Sequence, residues 1–364
     1  MGKAWMVTAV LWVSGLMACG EDPPGAGGAE GQDDDGGQDG GSGGADGAGG
    51  TVQIGPDGLF PTNHAYYKDV SQMPPSEESD AIIGTLESLG GWGNGDTFQI
   101  SFSFHVFEAD KSTPTAVLDE VMYESHSDPG PFPVVPGGAL EDMEDYFCPG
   151  DIGDSDCHYL VVQQDGRWLF EVYAASELSP GHWRAGSMAK WYLDTQYSDD
   201  QRGFGCTSAD AAGLPILPGL LRVKEVVADR EIKHALRFIL PNDRMRCRSL
   251  VAPASHFGAP SSDEPDAPPY GVRLRLRSSF DEGSVESSGG KVVVRALKKY
   301  GMILADGGQI TLTAERDRFT AEKWDGVLES RDLSMLRVTD FDVVDLGEVR
   351  SFDAYPDCVL RNPP

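Results

Sequence analysis

Residues 158–164 and 167–173 are two apolar-rich runs joined by Asp165-Gly166, the dipeptide that most favours a two-residue hairpin turn. Such a hairpin has one register: Gln164 faces Arg167, Leu160 faces Glu171, and His158 faces Tyr173. Side chains alternate across a strand, so His158, Leu160, Val162, Leu169, Glu171 and Tyr173 are expected on one face. Asp156 joins them if the first strand reaches back two residues. Diagonal neighbours in a sheet lie ~7–8 Å apart, within reach of long side chains.

The same period recurs elsewhere. Residues 97–107 alternate, with Phe98, Ile100, Phe102, Phe104 and Val106 on one side. That predicts a half-buried strand and leaves His105 on an exposed side with Gln99, Ser101 and Ser103. In residues 271–277, Val272, Leu274 and Leu276 point inward and Arg273, Arg275 and Arg277 toward solvent. Residues 309–314 and 341–345 read as further strands. Val293, Leu297 and Tyr300 fall at helical spacing, and Gly301 follows as a C-cap. Loops 127–138 and 258–269 are rich in Pro and Gly, and no internal repeat is visible. The expected fold is mainly β with a few helices (α+β), a β-sandwich or irregular barrel, formed by residues 51–364 as a single large extracytoplasmic domain.

The N-terminus predicts an address. Lys3 precedes a charge-poor run, residues 4–16, too short to span a bilayer. Leu16-Met17-Ala18-Cys19 then resembles the lipobox of bacterial lipoproteins. The resemblance implies a signal peptide over residues 1–18 and acylation of Cys19, which holds the protein to a membrane facing the periplasm or cell exterior. More than one acyl chain is needed for stable anchorage, and such a cysteine carries them. Residues 20–50 hold 14 glycines and eight acidic residues without a Lys or Arg. With Cys19 they form an expected disordered tether, residues 19–50, which sets the domain roughly 30 Å from its anchor at ~5–6 Å × √n.

The net charge is −29, and about −22 remains once the tether acids and Lys3 are set aside. Phosphate contact needs a cationic surface, so a nucleic-acid partner is not expected. The compact basic pair Lys298-Lys299 reads as a solvated helix face. After Cys19 there are five cysteines. Cys148–Cys157 and Cys206–Cys247 are the plausible disulfides in an exported compartment, which leaves Cys358 over. Their spacing matches no zinc site.

A histidine and carboxylates beside apolar surface are suited to acid–base work, because desolvation moves their pKa values toward neutrality. His158, Glu171, Asp156 and Glu141 are therefore the candidate catalytic residues, with Tyr173, His234 and His256 as candidate binding residues. The competing reading is that polar groups at a sheet's end satisfy one another or face water. No metal centre is expected. Calcium at Asp151, Asp154 and Asp156 is the one exception worth stating, although these lack the EF-hand pattern. Thr207-x-x-Asp210 matches a capping box and predicts a short helix before Pro215, not a nucleophile.

Longer strings resemble a family of exported bacterial proteins. They are residues 205–220 (GCTSADAAGLPILPGL), Glu225 with 234–238 (HALRF), 268–276 (PPYGVRLRL) with Phe280-Asp281, and 296–306 (ALKKYGMILAD). Ser127-Asp-Pro-Gly-Pro131 and Asp156-Cys-His158 fit as well. Cys206 stands where that family usually has Trp, and Gly307-Gly308 where it has Asn-Gly-Ser. The resemblance carries over no catalytic residue and implies no activity. Two function classes stay open: a binding or structural module at the membrane surface, and a carbohydrate-active hydrolase or lyase on an extracellular polymer. Trp183, Trp191 and Trp324 would stack on sugar rings in the first, and carboxylates ~5–10 Å apart would serve glycoside cleavage in the second.

Overall fold

The structure, a computed structural model, describes residues 53–154 and 156–361. The signal segment 1–18, Cys19 and the tether through residue 50 lie outside the described residues.

Among the described residues the fold is mainly β with a few helices, sandwich-like and without a closed barrel. In chain order the strands are β1 (Ile100–Phe104), β2 (Val106–Ala109), β3 (Thr115–Val121), β4 (Phe132–Pro133), β5 (Tyr159–Gln163) and β6 (Trp168–Tyr173). Then come β7 (Ser176–Ser179), β8 (His182–Ala185), β9 (Ser187–Tyr192), β10 (Leu236–Leu240) and β11 (Ser249–Leu250). The last are β12 (Arg273–Leu276), β13 (Met302–Gly307), β14 (Leu312–Glu315), β15 (Phe341–Val343) and β16 (Arg350–Ser351). A mixed six-stranded sheet runs β1-β14-β10-β13-β12-β15, and two four-stranded sheets run β2-β5-β6-β9 and β4-β3-β8-β7. β11 and β16 form a small fourth sheet. Helices α1 (Ser79–Ser88), the single turn α2 (Gly93–Asp96) and α3 (Ser288–Lys299) accompany the large sheet.

The β5–β6 hairpin has the expected register, with Leu160 opposite Glu171 and Gln163 opposite Trp168. Its turn differs. Neither Asp165 nor Gly166 has positive φ; Arg167 does, at 55°. Arg167 tolerates that backbone because its guanidinium bonds Asp194 (2.9 Å) and the carbonyls of Gly58 and Leu59 (3.0 and 2.9 Å). Both faces of this hairpin are buried. Tyr159, Val161, Phe170 and Val172 pack with Trp183 and Phe132 against the β3–β8 sheet. Leu160, Val162 and Leu169 pack with Phe60, Phe104 and Leu217 on the other side. Double burial explains why both runs are almost continuously apolar.

Coverage of the second face also overturns several expectations. His105 is 3% exposed, not solvated, because the chain changes sheets there: β1 joins β14 and β2 joins β5. Arg273 and Arg275 are buried and donate to carbonyls, Arg273 to Tyr300 at the end of the 288–299 helix and to Ala65, and Arg275 to Val70 on the same covering segment as Ala65. Trp183, Trp191 and Trp324 are core residues, so no sugar can stack on them. No helix follows Thr207; Ser208 bonds the carbonyls of Asp210 and Leu214 and holds an irregular loop instead. The helix over 288–299 forms as expected, ended by Gly301 at φ 70°, where a Cβ would come within 2.5 Å of the Leu274 carbonyl. Lys299 on it is exposed, while Lys298 caps the Phe280 carbonyl at 2.6 Å.

Cys148–Cys157 is bonded as expected. The second pairing is Cys206–Cys358, not Cys206–Cys247, so Cys358 is not left over. Spacing along the chain could not reveal that the C-terminal segment returns to the 200–207 loop. The two disulfides formed between described residues suit an oxidising, exported environment. Among the described residues, no helix is long and apolar enough to cross a membrane.

Candidate functional site

His158 directly precedes β5, at the edge of the face that meets the large sheet. Its ring lies between Phe104 and Tyr173, with centroids 5.2 and 5.4 Å away. The 139–147 loop brings Glu141 to it: the Glu141 amide donates to the His158 carbonyl at 2.9 Å. One Glu141 carboxylate oxygen then lies 2.6 Å from His158 Nδ1, and the other accepts from Ser103 Oγ at 2.6 Å. His158 Nε2 lies 3.0 Å from the Ala209 carbonyl. A carbonyl only accepts, so Nε2 carries a proton, and the carboxylate beside Nδ1 favours a second. Burial alone would lower the His158 pKa, but the charges of Glu141, Asp156 and Asp306 override it and raise it to about 9. His158 is an imidazolium at neutral pH, with both N–H groups engaged.

Asp156, Asp210, Asp306 and Arg237 surround this core. Arg237, on β10, grips Asp210 through two bonds of 2.7 and 2.9 Å and donates to Thr313 Oγ1 at 2.5 Å. Its Nη2 is 3.9 Å from Asp306, at the end of β13. Asp306 accepts its neighbouring Gly307 amide at 2.7 Å and is 30% exposed. Burial and then the Asp210 carboxylate push the Asp306 pKa well above the usual carboxyl range. Asp156 is exposed to water, yet it is close enough to protein that desolvation raises its pKa, against the pull of His158. Two carboxyl groups thus open to solvent at the mouth of a cluster whose deeper members are fully engaged. Tyr173, half-buried, stands beside them: burial and both carboxylates raise its phenol pKa.

Of the sequence candidates, His158, Glu141, Asp156 and Tyr173 therefore converge. Glu171 shares their face but not their cluster. It is fully buried and accepts from Trp191 Nε1 (3.1 Å), Ile216 N and Leu217 N (both 2.9 Å). Burial raises its pKa to about 7 although those donors pull it down. His234 belongs to a different buried group: Nε2 faces Glu225 at 3.1 Å, with Asp57 and Tyr67 nearby. His256 sets Nδ1 2.8 Å from the Ala211 carbonyl, and burial lowers its pKa to about 4. Asp151 and Asp154 sit across a 3-10 turn, and no three metal-ligating side chains converge among the described residues.

No family model, curated protein or solved structure matches this chain.

Asp210, Arg237, Asp306 and Ser103 were not among the sequence candidates. One signal did exist. Arg237 is a lone cation inside the apolar run Leu236–Leu240, and a buried Arg demands an anionic partner. The partner's identity was not readable, since Asp210 lies 27 residues away in a loop.

Proposed function

We propose that the chain is an exported, lipid-anchored cell-envelope protein whose folded part binds an envelope or extracellular glycan at the mouth formed by Asp156, Asp306 and Tyr173. One observation carries the choice of binding over catalysis: both ring nitrogens of His158 are held against acceptors, Glu141 and Ala209. An imidazolium so fixed has no free nitrogen to take a proton from substrate, so it is not the general base. Glu171, saturated by three N–H donors, serves as a strut under residues 216–217. What faces water is a pair of carboxyls and a phenol, groups that accept hydrogen bonds from sugar hydroxyls. The lipobox Leu16-Met17-Ala18-Cys19 and the glycine-rich acidic stretch after it support anchorage near a membrane surface.

The raised pKa of Asp306 favours a second reading, a glycan hydrolase or lyase with Asp306 as general acid and Asp156 as its carboxyl partner. A screen of cell-wall and neutral glycans for binding and for turnover, with wild type and His158→Gln, separates the two. Retention without product supports the binding module. Product formation that disappears in a folded Asp306→Asn variant establishes the hydrolase or lyase in its place.

A further inference from the structure

We propose that Tyr355 and Tyr123 form an aromatic platform for a neutral pyranose ring beside the Asp156–Asp306 mouth, and that the Cys206–Cys358 disulfide holds this platform in place. The proposal rests on the glycan-binding reading above and names the class of sugar and the wall that grips it.

Tyr355 is held as a platform must be held. One face of its ring stacks on Phe257, centroids 4.8 Å apart and planes 27° from parallel, with His256 alongside at 5.9 Å. Its hydroxyl donates to the Gly258 carbonyl at 2.6 Å. Yet 55% of the residue is exposed, so its remaining surface faces water in a fixed orientation. Tyr123 is 44% exposed and set edge-on to His126. Its amide donates to the Gly186 carbonyl at 2.9 Å and the Gly186 amide to the Tyr173 carbonyl at 2.8 Å, which sets it beside Tyr173; its ring neighbour His126 lies 5.7 Å from His256, the ring that flanks Tyr355. Rigid aromatics give contact area at low entropic cost, and their polar tips stay wet.

Tyr270 ties the Tyr355 wall to the mouth. It is fully buried, and its hydroxyl lies against Gly258, the residue whose carbonyl holds Tyr355. Burial and then the nearby Asp306 carboxyl oppose its ionisation.

The wall depends on the disulfide. Tyr355 belongs to a C-terminal segment laid on the 200–207 loop so closely that a Cβ at Gly203 would meet the Val359 carbonyl at 2.3 Å. Cys358 is bonded to Cys206, and the Arg361 amide donates to the Arg202 carbonyl at 2.7 Å. The net charge of −29 disfavours uronate and phosphate, so the ligand is a neutral glycan.

The test uses the full-length protein in detergent with chitohexaose, cellohexaose, mannohexaose and hexagalacturonate as probes. Wild type is expected to bind at least one neutral hexaose and not hexagalacturonate. Tyr355→Ala and Tyr123→Ala weaken binding by about tenfold or more, while Tyr355→Trp stays within about threefold. The double variant Cys206→Ser/Cys358→Ser weakens binding to the same extent, with unchanged circular dichroism. Equal binding by wild type and both alanine variants overturns the platform and leaves the glycan reading standing. Full binding by the double serine variant overturns the role of the disulfide. Preference for hexagalacturonate overturns the assigned sugar class. If wild type binds no neutral hexaose, both the platform and the reading beneath it fail.

Discussion

At the residue scale, the site is a chain of charges in which each member is held by the next. Ser103 donates to Glu141, Glu141 faces His158, and His158 faces Ala209; behind them Arg237 clamps Asp210. Breaking such a pair from one side leaves an uncompensated buried charge, which costs ~3–5 kcal/mol. Asp210→Asn should lose that amount in a urea titration, because Arg237 is 3% exposed and cannot turn to water. A loss under about 1 kcal/mol would mean that the Arg237–Asp210 pair is not buried as described. Glu141→Gln removes the largest charge raising the His158 pKa. His158 should then titrate below its wild-type value of about 9 in an NMR experiment. An unchanged titration would contradict the Glu141–His158 contact.

At the scale of elements, the β5–β6 register was legible because parity and turn position are local properties of the sequence. So was α3, whose apolar stripe and Gly301 lie within one segment. The errors have a single physical origin. Alternation tells which residues share a face, but not whether that face is later covered. Covering residues arrive from distant segments: Ala65 and Val70 over Arg273 and Arg275, and the 139–147 loop beside Ser103. The Cys206–Cys358 bond is the extreme case, with a separation of 152 residues against nine for Cys148–Cys157. Loop-closure entropy assigns up to about 5 kcal/mol to the longer link and about 2.6 kcal/mol to the shorter. Cys206→Ser/Cys358→Ser should therefore lower the urea midpoint more than Cys148→Ser/Cys157→Ser does. The reverse order would show that the C-terminal segment contributes little to the fold.

For the whole molecule, five histidines divide into two sets with opposite pH signs. Burial, with help from Arg273 at His64, lowers the pKa of His64 to about 3 and of His105 and His256 to about 4. Their neutral forms favour the fold, so that stability is lost as pH falls from about 6.5 toward 3–4. Carboxylates outweigh burial at His158 and His234 and raise both to about 9. Their contribution is complete below about 6.5 and is lost as pH rises through 9. Glu171, raised from 4.5 to about 7, costs stability as pH rises between those values and adds no further loss above them, while the net charge of −29 adds self-repulsion on the alkaline side. Thermal unfolding should therefore show a maximum Tm near pH 5–7 and a fall on both sides. A Tm that keeps rising from pH 7 to 9 would contradict the charged state of His158 and His234. That charged state is also what separates binding from catalysis here. The decisive measurement is a paired one: retention of a neutral glycan by the protein in equilibrium dialysis, with chromatography of the same sample after prolonged incubation. Retained, uncleaved glycan is the outcome expected of the Asp156–Asp306 mouth; shortened glycan that accumulates with wild type and not with Asp306→Asn would contradict it.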